Sequence, residues 1–384
     1  MYIGPFVACI GFSFTFIQSS VFPFRNPSHQ LLFVRILRLS EEPRFVMYRY
    51  VLLLAWLVLT EAGSEFFPSA EVVRQESSCL ISGAPCPESQ ATAEKISPSP
   101  AIMTVNHRLL DNLAYAGGIS PYQCSDLYMP STTPPRLNQL VIFVHGGAWR
   151  AGDKADTHSV GLIKNLSSQF PKAAICSVNY RLSIGKVNPD SDVTHPSHNG
   201  DVARAIEHVN SLPELKDIDE MYLIGHSAGA FICLSLAGIF EPPYPELPCL
   251  TTITSKKIHG LILVDGIYDL VKLLEEYPSY IDFVAGAFRQ KGSDQLKYLK
   301  DASPISWSPS AVDPDSPRIL ILHSHEDSLL TIRQSELAAT TLRSTPSLDN
   351  KVESDFDSVS GDHHDLLVSP ALAARIKTFI TGSE

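Results

Sequence analysis

The sequence predicts an α/β fold: a doubly wound, mostly parallel sheet with helices on both faces. Short apolar runs rich in β-branched residues recur from Asn106 onward, and amphipathic stretches of helical length separate them. Hydrophobic residues make up 44% of the 384 and charged residues 18%, which is enough apolar material for a large core. The predicted strands are Gln139 to His145, Ala173 to Tyr180, Met221 to Gly225, Ile258 to Asp265 and Arg318 to His323. Their near-continuous hydrophobicity, in place of an alternation, marks strands covered on both faces. Asp201 to Val209 and Gly229 to Ile239 read as helices between them, so residues 101–384 are predicted to form one domain.

Residues 1–100 have a different character. They show no alternation of strand and helix patterns, and Pro87 to Pro100 is rich in Ser, Pro, Ala and Glu, the composition of a linker or disordered tail. Met1 to Phe22 is uncharged and apolar enough to suggest a membrane segment, though its Gly, Pro, Ser and Gln residues weaken it. Val51 to Leu59, preceded by Arg49 and closed by Thr60-Glu61-Ala62-Gly63, resembles a secretory signal, yet it lies far from the chain start. The expectation is an N-terminal extension, either disordered, targeting or mispredicted, on a cytoplasmic protein, with secretion or membrane association left open.

The formal net charge of −11 is spread along the chain without a basic stripe, which argues against nucleic acid as a partner. Of the seven cysteines, Cys176 and Cys233 sit in apolar runs, and Cys9, Cys79, Cys86, Cys124 and Cys249 share no metal-type spacing. Cys79 and Cys86 have the spacing to pair in an oxidising compartment, but the odd total favours reduced, structural thiols.

Gly225-His226-Ser227-Ala228-Gly229 is a G-x-S-x-G motif framed by a strand and an apolar helical run, the context a nucleophile elbow requires. Small residues at 225 and 229 permit a turn sharp enough to expose the Ser227 hydroxyl. A serine hydroxyl is a weak nucleophile at neutral pH, so it needs a base, and the developing oxyanion needs fixed donors. His145-Gly146-Gly147-Ala148-Trp149 follows a strand end and offers backbone N–H groups for that purpose. In α/β-hydrolases the acid and histidine follow the nucleophile in the chain. Asp327, with Glu326 as rival, lies just past the strand Arg318 to His323, and His363, with His364 as rival, lies in the next loop. His323-Ser324-His325-Glu326-Asp327 also reads as an H-x-H-x-D metal cluster, but Ser328 stands where such patterns continue with His, and the elbow would then be unexplained.

From about Tyr115 to the C-terminus the chain resembles the serine-type kynurenine formamidases, especially the fungal ones. The resemblance rests on His145 to Trp149 as the HGG-x-W motif, on Asp265 to Leu270 with Glu276-Tyr277-Pro278 behind it, and on His323-Ser324 followed by Asp327 and by Leu329 to Gln334. It implies Ser227 as nucleophile, Asp327 as acid and His363 as base, the last by the Gly-x-His-x-Asp register of Gly361 to Asp365. It also implies Gly147, Ala148 and Ala228 as oxyanion-hole donors. The implied reaction is hydrolysis of N-formyl-L-kynurenine to L-kynurenine and formate in tryptophan degradation, with no metal or organic cofactor. The expected partners are that small-molecule substrate and, in a homodimer, a second copy of the chain. The alternative is a carboxylesterase or prenylcysteine methylesterase sharing loop, elbow and triad. Trp149 and Tyr268 are expected to line an aromatic pocket for the substrate ring.

Overall fold

Side chains along a strand alternate between the two faces of its sheet, so a strand buried on both sides must feed two cores. Leu140, Ile142 and Val144 pack into one apolar layer, and Val141 and Phe143 into the other. In this computed structural model the described residues are 6–10, 13–21, 32–37 and 106–382, without 119, 133–135, 184–192, 245–246, 249, 256, 290–293, 311–314 and 347. The chain divides into two units, Met1–Lys95 and Ile96–Glu384.

The larger unit is built on an eight-stranded sheet. Its strands are β1 (His107–Ala114), β2 (Cys124–Pro130), β3 (Gln139–Val144), β4 (Ala174–Val178), β5 (Glu220–His226), β6 (Ile258–Val264), β7 (Arg318–Leu322) and β8 (Val352–Asp355). They lie in the order β1-β2-β4-β3-β5-β6-β7-β8. Only β2 runs antiparallel to its neighbours; every other pair is parallel. The helices include α1 (Thr157–Gln169), α2 (Ser197–Asn210), α3 (Ala228–Leu236), α4 (Leu270–Glu276), α5 (Ile281–Ala287), α6 (Gln295–Ala302), α7 (Arg333–Arg343) and α8 (Pro370–Thr381). Val202, Ile206 and Val209 of α2 and Phe231 of α3 cover one face, while Leu162 and Leu166 of α1 and Leu372 and Ile376 of α8 cover the other. This is the doubly wound, mostly parallel sheet with two covered faces that the apolar runs predict.

All five predicted strands and both predicted helices are present, with ends that differ by a few residues. Strands β1, β2 and β8 escape a reading based on apolar runs. Strand β8 is Val-Glu-Ser-Asp at a sheet edge, and β2 begins Cys-Ser-Asp although all seven of its residues are buried. In the smaller unit, Phe6–Ile10, Ser13–Val21 and Leu32–Leu37 form an antiparallel three-stranded sheet. Two of these strands lie within the stretch read as a membrane segment, and no helix among the described residues is long and apolar enough to cross a membrane. The signal-like run from Val51, the Cys79 and Cys86 pair and the Pro87 to Pro100 linker lie outside the described residues. Among the described residues Cys124, Cys176 and Cys233 are free and buried.

Because β3, β5, β6 and β7 are parallel neighbours, the loops after Val144, His226, Val264 and Leu322 all emerge at one end of the sheet. Ligands of open α/β sheets bind at that end.

Candidate active site

Ser227 joins β5 to α3 with φ 53° and ψ −119°, a conformation that costs a non-glycine residue of order 1–3 kcal/mol and persists only where the surroundings impose it. They do so from strand β6 and its loop. The Ser227 N–H donates to Val264 O at 2.9 Å, and Ser227 O accepts from Ala230 N at 3.0 Å and Ile267 N at 3.4 Å. The turn is also compressed against β3. A Cβ on Gly229 would lie 2.1 Å from Val144 O, and one on Gly146 only 2.7 Å from Ser227 Cβ. Glycine at these positions lets the loop after β3 lie flush against the elbow.

That loop carries three consecutive left-handed residues, Gly147 (φ 91°), Ala148 (φ 52°) and Trp149 (φ 57°). Gly147 O closes the turn by accepting from Arg150 N and Ala151 N, both at 3.0 Å. Among the described residues no acceptor takes the N–H of Gly147, Ala148 or Ala228. Gly147 and Ala148 line the cleft that holds Ser227, while Ala228 is fully buried at the start of α3. Unpartnered amides beside a serine hydroxyl are the equipment an oxyanion needs.

Asp327 sits in the turn after β7. Its Oδ1 accepts from Leu329 N at 2.8 Å and Leu330 N at 2.9 Å, which leaves Oδ2 to meet His363 Nδ1 at 2.7 Å. A carboxylate only accepts, so the proton of this bond sits on His363 Nδ1. The histidine loop is tied from two further sides. His226 Nε2 donates to His363 O at 2.8 Å, and Glu326 Oε2 accepts from Gly361 N at 3.0 Å. Burial, with His363 and His364 nearby, holds the His226 pKa well below its ordinary value, so this ring is a neutral tether. Glu326, the rival acid, thus anchors the loop's backbone and leaves the imidazole to Asp327. His364, the rival base, is exposed in the same cleft and faces the His158 ring at 5.4 Å.

The H-x-H-x-D pattern is split by the turn. His323 is fully buried, with Nε2 3.0 Å from Leu330 O and Nδ1 2.8 Å from Ser335 Oγ, while His325 is exposed with its Nε2 3.7 Å from Asp357. Because a carbonyl cannot donate, His323 Nε2 carries the proton, and burial lowers its pKa so the ring stays neutral. Beside it lies a group that sequence reasoning placed only in a family segment. Asp265 is fully buried with φ 43°, its Oδ1 accepts from Ser324 N at 2.9 Å, and its Oδ2 has no partner among the described residues. Ligand atoms of Asp265, Asp327 and His363 all lie within 4.8 Å of one another. Burial first, and the Asp327 charge second, raise the Asp265 pKa to about 8.

Ser227, His363, Gly147 and Ala148 open onto one cleft of about 460 Å³. Its far wall is the segment after Glu276-Tyr277-Pro278, where Tyr280 and Phe283 face in, and Leu329 and Ile267 complete the apolar lining. Tyr280 is braced by its hydroxyl bond to Leu329 O at 2.8 Å and by stacking on Tyr277 at 4.8 Å.

The family model described as BD-FAE matches residues 125–342. A kynurenine formamidase of Eremothecium gossypii is 34% identical over 208 residues, covering 53% of this chain and 78% of that protein. One from Meyerozyma guilliermondii is 36% identical over 205 residues, covering 53% of this chain and 71% of that protein. The chain belongs to the kynurenine formamidase family. It is a hydrolase, as its fungal relatives are. A carbohydrate esterase structure from gut microbiota superposes with a TM-score of 0.57 at 20% identity, over 73% of this chain and 97% of that one. Esterase B of Lactobacillus rhamnosis superposes with a TM-score of 0.56 at 16% identity, over 82% and 96%. Both share the α/β-hydrolase fold.

Two expectations for this formamidase-family cleft need correction. Trp149 and Tyr268, read as ring-binding aromatics, are fully buried and absent from its lining. Trp149 packs edge-on against Phe231 of α3 at 5.3 Å and Phe288 at 4.8 Å, so it anchors the glycine loop to the helix that follows Ser227. Tyr268 lies in the core with its backbone N–H on Gln334 Oε1 at 2.9 Å. A left-handed turn throws the tryptophan inward, and an aromatic four residues past the end of a buried strand is equally able to point down into the core. The aromatics that do face the cleft, Tyr280 and Phe283, follow the family segment at 276–278 by two and five residues, so the motif itself was the available signal. His145 is likewise buried, stacked on Tyr180 at 4.5 Å.

Proposed function

We propose that the chain hydrolyses N-formyl-L-kynurenine to L-kynurenine and formate, a step of tryptophan degradation, with Ser227, His363 and Asp327 as a catalytic triad. The observation that carries the mechanism is the 2.7 Å bond between His363 Nδ1 and Asp327 Oδ2 in the cleft that also holds Ser227 in its strained turn. The choice of substrate rests on the names of the fungal relatives.

In this reading Ser227 Oγ attacks the formyl carbon while His363 Nε2 takes its proton, and Asp327 stabilises the imidazolium that forms. Negative charge develops on the formyl oxygen, where the N–H groups of Gly147, Ala148 and Ala228 receive it. Each such donor is worth roughly 3 kcal/mol in well-studied hydrolases. Collapse of the intermediate breaks the C–N bond, and the imidazolium returns its proton to the departing arylamine. Water, deprotonated by His363, then attacks the formyl-serine ester; the Oγ–C bond breaks, formate leaves, and the imidazolium returns its proton to Ser227 Oγ. The apolar wall of Tyr280, Phe283 and Leu329 suits an aryl group.

Comparing turnover of N-formyl-L-kynurenine with that of p-nitrophenyl acetate tests the assignment. A kcat/KM at least a hundredfold higher for the formamide, about 2.7 kcal/mol of discrimination, supports it. Ester turnover without formamide turnover would make the chain an esterase of the same fold.

A further inference from the structure

The cleft is mostly apolar, but one of its walls carries a cation. Among the described residues Arg150 is the only Lys or Arg that lines it. The side chain is exposed, its guanidinium lies 5.3 Å from the centroid of the Phe283 ring, and it makes no ion pair with any described carboxylate. The position is set by the loop that bears the proposed oxyanion donors. Arg150 N donates to Gly147 O at 3.0 Å, so the cation stands two residues from the Ala148 amide in a turn closed by that bond. The Phe283 ring faces the guanidinium as a cation–π partner, a contact that arginine makes more often than lysine. Asp282, beside Phe283, is the only Asp or Glu among the described lining residues.

We propose that Arg150 is a specificity-determining residue that pairs with a carboxylate on the substrate while the scissile carbonyl lies at Ser227. The inference rests on the formamidase reading and deepens it: Arg150 is where the amino-acid tail of the substrate is held. The α-carboxylate of that tail meets Arg150. A guanidinium without an ion-pair partner and already steadied by a ring loses little freedom on binding, which is how preorganisation turns a charge into affinity. A neutral formanilide would fill the apolar part of the cleft and gain nothing from Arg150.

The test is a cycle of two enzymes and two substrates. Wild type and Arg150→Gln are assayed with N-formyl-L-kynurenine and with N-formylaniline, which has no carboxylate. Arg150→Gln is expected to raise KM for N-formyl-L-kynurenine by about ten- to a hundredfold, the usual range for a hydrogen bond to a charged group, with kcat within a few-fold. For N-formylaniline the same substitution is expected to change kcat/KM less than twofold, and Arg150→Lys is expected to recover part of the loss. A loss equal on both substrates, or no loss on the carboxylate substrate, would overturn the assignment while leaving the formamidase reading intact. A wild-type chain that turns over N-formylaniline but not N-formyl-L-kynurenine would overturn both. Unchanged thermal unfolding of the variants separates a binding loss from a folding one.

Discussion

Asp265 and Asp327 lie in the loops that follow two neighbouring parallel strands, and their carboxyl groups lie close enough, with His363, for all three ligand atoms to fall within 4.8 Å. Two carboxylates cannot both hold charge cheaply in such a place. Asp327 has two backbone N–H bonds and an imidazole to stabilise its charge, whereas Asp265 has one N–H bond and a neutral His323 at 3.8 Å. Asp265 is therefore the partner that keeps its proton.

A stability profile follows. The Asp265 pKa rises from its ordinary 3.8 to about 8 in the folded chain. Between those values the folded state holds a proton that the unfolded state has lost, so this group's contribution falls as pH rises through that window and levels off above it. Asp265→Asn mimics the neutral acid and removes the titration. Its stability relative to wild type is expected to improve steadily from pH 5 to pH 8, read from urea midpoints. A difference independent of pH would show that Asp265 ionises normally.

The two histidines and two acids of the last loops are expected to behave unequally. His363→Ala should lower kcat by at least a thousandfold and His364→Ala by less than tenfold, because only His363 meets a buried carboxylate. Asp327→Ala should likewise far exceed Glu326→Ala, whose effect is the loss of one tether on Gly361 N. Steady-state kinetics of the four variants check the order, and a reversed order in either pair would reassign the role. Treatment with a strong chelator is expected to leave wild-type turnover unchanged; a loss restored by zinc would point to a metal.

Trp149→Ala should act through stability. Removing a fully buried indole between Phe231 and Phe288 is expected to cost about 3–5 kcal/mol, measured by denaturant unfolding. A large rise in KM with an unchanged unfolding midpoint would instead return Trp149 to the substrate pocket.

A chain beginning at Met103 is expected to keep its activity, since every residue proposed for catalysis and every strand of the eight-stranded sheet lies beyond it. Loss of solubility or of turnover on removing residues 1–102 would show that the catalytic unit depends on them.

The central architecture was legible because parallel strands buried on both faces must be written as apolar runs, and the elbow because its glycines are sterically obligatory. A Cβ at 229 has no room beside Val144 O. Asp265 and His226 were hidden for the opposite reason: a buried acid and a tethering histidine are recognised by what surrounds them, and neighbours from other strands do not adjoin them in the chain. Trp149 and Tyr268 misled because aromatic residues suit a core and a binding wall equally well, and only the direction of the loop decides. Strand β8, four residues at an edge, lacks the apolar material that a pattern needs.

Ser227→Ala removes the proposed nucleophile and nothing else. With N-formyl-L-kynurenine as substrate, the variant should fold as wild type does and lose kcat by several orders of magnitude, on the order of a millionfold where the serine acts as the covalent nucleophile. Wild type is expected to form a fluorophosphonate mass adduct at this residue, and the variant to form none. A variant that keeps more than a tenth of wild-type turnover would contradict the account, because the hydroxyl in the strained turn would then not be the attacking group.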